Sequence, residues 1–206
     1  MQEAAKILNC DSGELEFAGD CVKRLATGEE VSLTQIGTSS MCGSINALEA
    51  VEDSSSPVSP PPFMAGMVEI ELDKETGHVE VLDYVAVVDC GTVINPNLAR
   101  VQVEGGIVQG IGMALYENIQ YSPKGQLRNN SFMQYKVPTR LDMGKLRVEF
   151  ESSYEPTGPF GAKSIGEIVI NTPSPALAHA IYNATGLWFR ELPITSEKIA
   201  MGLLKK

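Results

Sequence analysis

Cysteine is scarce and scattered: Cys10, Cys21, Cys42 and Cys90 contain no C-x-x-C pair, and only His78 and His179 could assist them. A zinc or iron-sulfur site held by this chain is therefore not expected, because both need several closely spaced thiolate or imidazole ligands. The four thiols are expected to act as small buried hydrophobes in a reducing compartment. Positive charge is also short, with 16 Lys and Arg against 26 Asp and Glu and a formal net charge of −10. That balance repels phosphate backbones and anionic lipid, so neither nucleic acid nor a membrane is an expected partner. No apolar run reaches the roughly 18 to 20 residues of a membrane helix, and the most apolar stretch, Gly105 to Leu115, is broken by Gln109 and glycines. The opening Met1-Gln2-Glu3-Ala4-Ala5-Lys6 has neither the basic nor the apolar part of a secretory signal, which gives a cytoplasmic expectation.

What is present is ordinary for a globular chain, with 43% hydrophobic and 20% charged residues in 206 positions. Met1 to Cys10 predicts a short helix, and Thr27 to Leu33 a turn into another short element. Ser54 to Pro62 reads Ser-Ser-Ser-Pro-Val-Ser-Pro-Pro-Pro, which has too few amide donors for a helix or a central strand. It predicts an extended connector, giving an N-terminal piece over 1–60 and a main body over 61–206.

From Met67 the apolar residues Val68, Ile70 and Leu72 alternate with Glu69 and Glu71, the period of a half-buried strand. Asp73-Lys74-Glu75-Thr76-Gly77 supplies turn residues, and the β-branched run from Val79 to Val88 completes a hairpin. A third alternating strand is predicted over Leu146 to Tyr154. Asn95-Pro96 supplies an N-cap and a first-turn proline for a long helix running toward Asn118. Ser174-Pro175 opens a shorter helix with Leu177, Ala180, Ile181 and Ala184 on one face and Gly186 after its end. His179 on that helix reads as a packed or solvated residue. The fold class is α+β, a mixed or antiparallel sheet packed by a glycine-rich long helix and shorter helices.

The long helix carries Gly105, Gly106, Gly110 and Gly112, each costing about 0.8 to 1 kcal/mol relative to alanine. Helical spacing gathers Gln102, Gly105, Gly106, Gln109, Gly112 and Tyr116 toward one face that is poor in side chains. Close packing and contact with a bound cofactor account for such a face equally well. Gln109, Asp89 and Asn95 are assigned structural roles, in helix packing, at a strand end and as an N-cap.

The most informative segment is Thr157-Gly158-Pro159-Phe160-Gly161-Ala162-Lys163-Ser164-Ile165-Gly166-Glu167, a glycine-rich loop ending in a carboxylate before Ile168-Val169-Ile170. On the residues alone, a solvated surface glutamate is the commoner outcome. The loop resembles, however, the signature of the large subunit of xanthine dehydrogenases and aldehyde oxidases. Asp89-Cys90-Gly91, Asn95-Pro96, QVEGGIVQGIGMAL from Gln102 to Leu115, NNSFMQYKVPT from Asn129 to Thr139 and Glu191-Leu192-Pro193 extend the resemblance, in the family's order, over roughly residues 63 to 200.

The resemblance implies a molybdenum hydroxylase component, with molybdenum-molybdopterin bound as a dinucleotide. It makes Glu167 the catalytic base that activates a water-derived oxygen for attack on an electron-poor carbon. It makes Gln102 a hydrogen-bonding contact to the pterin. Lys163 and Ser164 either touch the cofactor or hold the loop, and no residue is expected to ligate the metal directly. The family's upstream cofactor-gripping segments are not seen here, so the implied partners are the remainder of the molybdenum-binding subunit, iron-sulfur and FAD subunits carrying Fe-S clusters and FAD, and a small-molecule substrate. A purine or related N-heterocycle is the expected substrate, with an aldehyde as second choice. A non-catalytic module docking onto a partner chain is the rival reading.

Overall fold

The structure, a computed structural model, describes residues 1–42, 48, 51, 53 and 55–205. It divides into two compact units, Met1–Ser54 and Ser55–Lys206. The first unit contains helix α1 (Gln2–Leu8), strands β1 (Leu15–Ala18), β2 (Cys21–Arg24) and β3 (Glu30–Ser32) in an antiparallel meander, and helix α2 (Leu33–Cys42). Its core is small: Ala4, Leu15, Val22, Val31 and Ile36.

In the second unit, β4 (Phe63–Leu72) and β5 (Val79–Asp89) form the hairpin, and β6 (Met143–Phe150) joins β5 in parallel, giving a mixed three-stranded sheet. β4 begins four residues before the predicted start, where Phe63 pairs with Asp89. β6 is also displaced from its predicted range of Leu146 to Tyr154. It ends at Phe150 because β5, its only partner among the described strands, stops at Asp89, opposite the next residue. Its earlier start follows a capping box, in which Thr139 accepts from the first turn and Asp142 answers to the Thr139 amide.

Strand β5 does not keep one alternation. Its buried residues are Val79 and Val81, then Tyr84, Ala86 and Val88, and the change of phase falls at a register shift opposite Glu69/Ile70. An extra residue at Leu82 makes this a bulge, which turns Tyr84 inward. The Tyr84 hydroxyl lies 2.9 Å from Thr172 Oγ1, joining the sheet to the helices above it. Gly66 gives this pair its room: a Cβ there would lie 2.2 Å from the tyrosine oxygen. Tyr84→Phe leaves the Thr172 hydroxyl without this partner and is expected to cost about 1 to 2 kcal/mol. A lowered urea midpoint at unchanged m-value is the check.

Helices α3 (Pro96–Leu115), α4 (Ile168–Asn171) and α5 (Pro173–Thr185) cover one side of the sheet, and α6 (Ser196–Leu204) completes the unit. Asn95 caps α3 by accepting from the Leu98 amide, and Gly186 ends α5 in the left-handed conformation. Val103, Ile107, Ile111 and Ala114 of α3 meet Val169, Leu177 and Ile181 in one core with β5. Among the described residues no helix is long and apolar enough to cross a membrane.

Three of the four α3 glycines are explained by packing. A Cβ on Gly106 would lie 2.1 Å from Val169 Cγ2, one on Gly110 2.8 Å from Pro173 Cγ, and one on Gly112 2.9 Å from Pro138 Cδ. The expected single groove is therefore split, since Gly106, Gly110 and Gly112 are buried while Gln102, Gly105 and Gln109 are exposed. Gln109 is not a packing residue, because its position on the helix turns outward. The cysteines depart from expectation too. Only Cys90 is buried, whereas Cys42 is exposed and Cys10 and Cys21 are partly so.

Candidate functional site

The glycine-rich loop leaves β6 and is seated on the end of β5. Lys163 N donates to Cys90 O at 2.7 Å, and Thr92 N donates to Gly161 O at 2.8 Å. Gly91 and Ala162 face one another as an isolated antiparallel bridge. Such close approach requires glycine: Gly91 has φ +67, and a Cβ there would lie 2.3 Å from Gly161 O. Gly161, at φ +81, likewise leaves space for the Tyr154 ring. Between them Phe160 takes φ 54 with its ring 84% exposed, a left-handed conformation uncommon for a bulky side chain. Nothing in the order Pro-Phe-Gly, without its folded context, announces that conformation.

Beneath the loop, Asp89 collects three donors. Lys163 Nζ stands 2.5 Å from Oδ2, while Ser153 Oγ at 2.5 Å and Gly91 N at 3.0 Å donate to Oδ1. The Lys163 hydrogen bond first, then those from Ser153 and Gly91, hold the Asp89 carboxyl at about 2. Its folded pKa lies below the ordinary value of about 3.9, so the stabilisation is complete above about pH 4 and is lost as pH falls toward 2. The pair is thus intact at neutral pH. Burial, with the Asp89 charge next, pushes the Cys90 thiol up, leaving it protonated and unsuited to act as a nucleophile.

The far end of the loop meets α3. Gln102 Nε2 donates to Gly166 O at 2.9 Å, one residue before Glu167. Glu167 occupies the N-cap position of α4, is exposed, and makes no side-chain cap hydrogen bond. The fold therefore brings Gln102 against the loop that carries Lys163, Ser164 and Glu167, and Ser164 is exposed. An open cleft of about 440 Å³ adjoins it, lined among others by Cys90, Asn95, Leu98, Gln102, Lys163 and Gly166. A larger groove of about 630 Å³ beside Arg100, Gly105 and Arg140 holds none of the candidate residues.

Sequence reasoning treated Asp89 as a strand end and overlooked Ser153. Asp89 lies 74 positions from Lys163 and 64 from Ser153, so only the folded sheet brings it to them. His179 is exposed and packs edge-on against Trp188, with ring centroids 5.1 Å apart, far from a ligand's setting. The segment 129–139 lines other grooves: Asn129 accepts from Gln120 N and donates to Asn118 O, and Tyr135 donates to Glu117 at 2.6 Å. Among the described residues no group of three or more His, Cys, Asp or Glu is placed to hold a metal ion.

Gln102 lies on the cleft, whereas the neighbouring Gly105 lines the separate, larger groove. A Cβ on Gly105 would meet nothing within 4 Å, and the Gln102 Oε1 end of the amide remains able to accept a hydrogen bond.

Over 145 residues the chain is 37% identical to Probable hypoxanthine oxidase XdhD of Escherichia coli K12, covering 70% of this chain and 15% of that one. It is also 37% identical over 139 residues to the aldehyde oxidoreductase molybdenum-binding subunit PaoC of the same organism, covering 66% and 19%. Quinoline 2-oxidoreductase from Pseudomonas putida 86 superposes with a TM-score of 0.79 at 26% identity, covering 100% of this chain and 28% of that one. The chain thus spans between about a seventh and somewhat over a quarter of the proteins it matches. The sequence model of the molybdopterin cofactor-binding domain matches residues 1–144, and the chain belongs to that family, shared with the molybdenum-binding subunits of xanthine dehydrogenase and aldehyde oxidase type.

Proposed function

We propose that this chain forms one wall of the active site of a molybdenum hydroxylase acting on a purine or related N-heterocycle, with Glu167 as the general base and Gln102 as a contact to a pterin dinucleotide. The observation that carries the reading is the Gln102 to Gly166 hydrogen bond, which spans 64 positions in sequence and ties Gln102, on the cleft, to the residue just before Glu167. The main body over 61–206 holds all of these residues. When bound, the molybdenum cofactor supplies the electron sink and acidifies the attacking water. The side chains supply the rest: Glu167 accepts the proton, its exposed carboxylate being free of a capping duty, and Gln102 orients the pterin edge while steadying the loop. Ser164 is available for a further polar contact.

The purine preference is supported by hypoxanthine in the name of one relative and by quinoline, another N-heterocycle, in that of a structural neighbour. Aldehydes are the alternative, supported by the name of another relative. The open cleft, and the relative that is itself a molybdenum-binding subunit, support assembly with the remainder of a molybdenum-binding polypeptide and with iron-sulfur and FAD subunits. A substrate panel on the assembled enzyme tests the reading, with N-heterocycles expected to be oxidised. Aldehydes turned over while purines and quinolines are ignored would replace it. A well-folded complex without molybdenum or pterin would favour the non-catalytic docking module.

Gln102→Ala separates binding from chemistry. It removes a cofactor contact and one loop tie, so molybdenum occupancy should fall, with turnover falling in proportion to the metal lost. Metal analysis alongside kcat reads this directly.

A further inference from the structure

The loop ending at Glu167 is fastened at two points of different kind. Near Glu167 the fastening is a neutral amide, Gln102 to Gly166 O. At Lys163 it is an ion pair, and that side chain is only 8% exposed. An ammonium group drawn so far out of water needs a countercharge, and Asp89 provides it. The Phe63 ring covers the same ammonium, with its centroid 5.4 Å from Nζ. Asp89 is itself fixed by Ser153 and the Gly91 amide. The Lys163 ammonium is thus engaged by the Asp89 carboxylate and covered by the Phe63 ring. We propose that Lys163 and Asp89 are a positioning couple, which holds the Glu167 loop in register with β5 without either side chain touching the cofactor. This rests on the reading of Glu167 as the base.

The couple acts through distance. From Lys163 to Glu167 only four peptide links intervene, so an unfastened Lys163 lets the loop move by an amount that matters to a proton transfer. A misplacement of about 1 Å can cost about 100-fold in rate. Backbone bonds from Lys163 N and Thr92 N keep the loop near its seat when the ion pair is removed, so the loss should be one of precision rather than of fold.

The test uses the assembled enzyme carrying Lys163→Met, Lys163→Arg, Asp89→Asn, the Met/Asn double variant and Glu167→Gln. Lys163→Met and Asp89→Asn should each lower kcat about 10- to 100-fold at unchanged molybdenum content and little-changed KM. Amide hydrogen exchange over 161–167 should quicken in both, with α5 unaffected. The double variant should be no worse than the poorer single one, as expected of two residues acting as a unit, and Lys163→Arg should recover most of the activity. The proposal is overturned if loop exchange is unchanged, or if kcat is unchanged where Glu167→Gln is inactive. It is also overturned if Lys163→Met loses molybdenum while Asp89→Asn does not, which would make Lys163 a cofactor ligand. Near-normal turnover in Glu167→Gln would instead dismiss the base, and loop exchange with the double-variant comparison would still decide on the couple.

Discussion

Glu167→Gln in the assembled enzyme is expected to lower kcat by at least about 10²- to 10⁴-fold, with molybdenum content and melting temperature close to those of the parent protein. Glutamine matches glutamate in length and can occupy the same position before α4, but its amide cannot take up a proton at neutral pH. Stability should be spared because the Glu167 side chain makes no cap hydrogen bond and lies exposed. The loop keeps its seat through Lys163 N to Cys90 O, Thr92 N to Gly161 O and Gln102 Nε2 to Gly166 O, none of which involves residue 167. Cofactor retention should be spared for the same reason. Turnover within a few-fold of normal, at full molybdenum loading, would require another base and would remove the central role from this loop.

The parts of this arrangement that could be read in the sequence are those specified by near neighbours. The β4–β5 hairpin follows from alternation on both sides of Asp73 to Gly77, and α3 begins where Asn95 and Pro96 say it should. Gly186 closes α5 because a left-handed terminal residue favours glycine. The parts not readable depend on residues far away. The parallel pairing of β6 with β5 is set by the intervening α3 and the long loop behind it, and the bulge at Leu82 is an extra residue in an otherwise regular apolar run. The glycines of α3 signalled close approach without naming the neighbour. Val169, Pro173 and Pro138 turned out to be the neighbours, and Gly105 alone was left facing open space.

The candidate site divides along the same line. Resemblance of the loop singled out Glu167 and that of the QVEGG segment singled out Gln102, and the fold bonds Gln102 to the residue just before Glu167. It could not show that Asp89, at the end of a strand, carries the loop's buried cation, because the pairing spans 74 positions. Local chemistry placed Asp89 at the end of a β-branched run, and missed the lysine that pairs with it.

That seat supplies the second large effect. Gly91→Ala is expected to destabilise the protein by about 2 to 4 kcal/mol, combining a left-handed backbone with a collision in a packed region. It should also lower kcat by about 100-fold. Gly91 has φ +67, and its added Cβ would stand 2.3 Å from Gly161 O, 3.0 Å from Lys163 N and 3.2 Å from Ala162 C. All three are backbone atoms, so no rotamer change relieves the contact. The loop must lift, and the atoms it lifts are those bonded to Thr92 and Cys90 and leading to Glu167. Gly125→Ala is the control, since Gly125 has φ +77 but nothing within 4 Å of its Cβ. It should show only the conformational cost of about 1 to 2 kcal/mol, with kcat unchanged. Denaturant midpoints and kcat of the two variants, compared side by side, isolate the collision. Should Gly91→Ala match Gly125→Ala in both measurements, the loop would not be resting on Gly91, and the placement of Glu167 through that seat would be wrong.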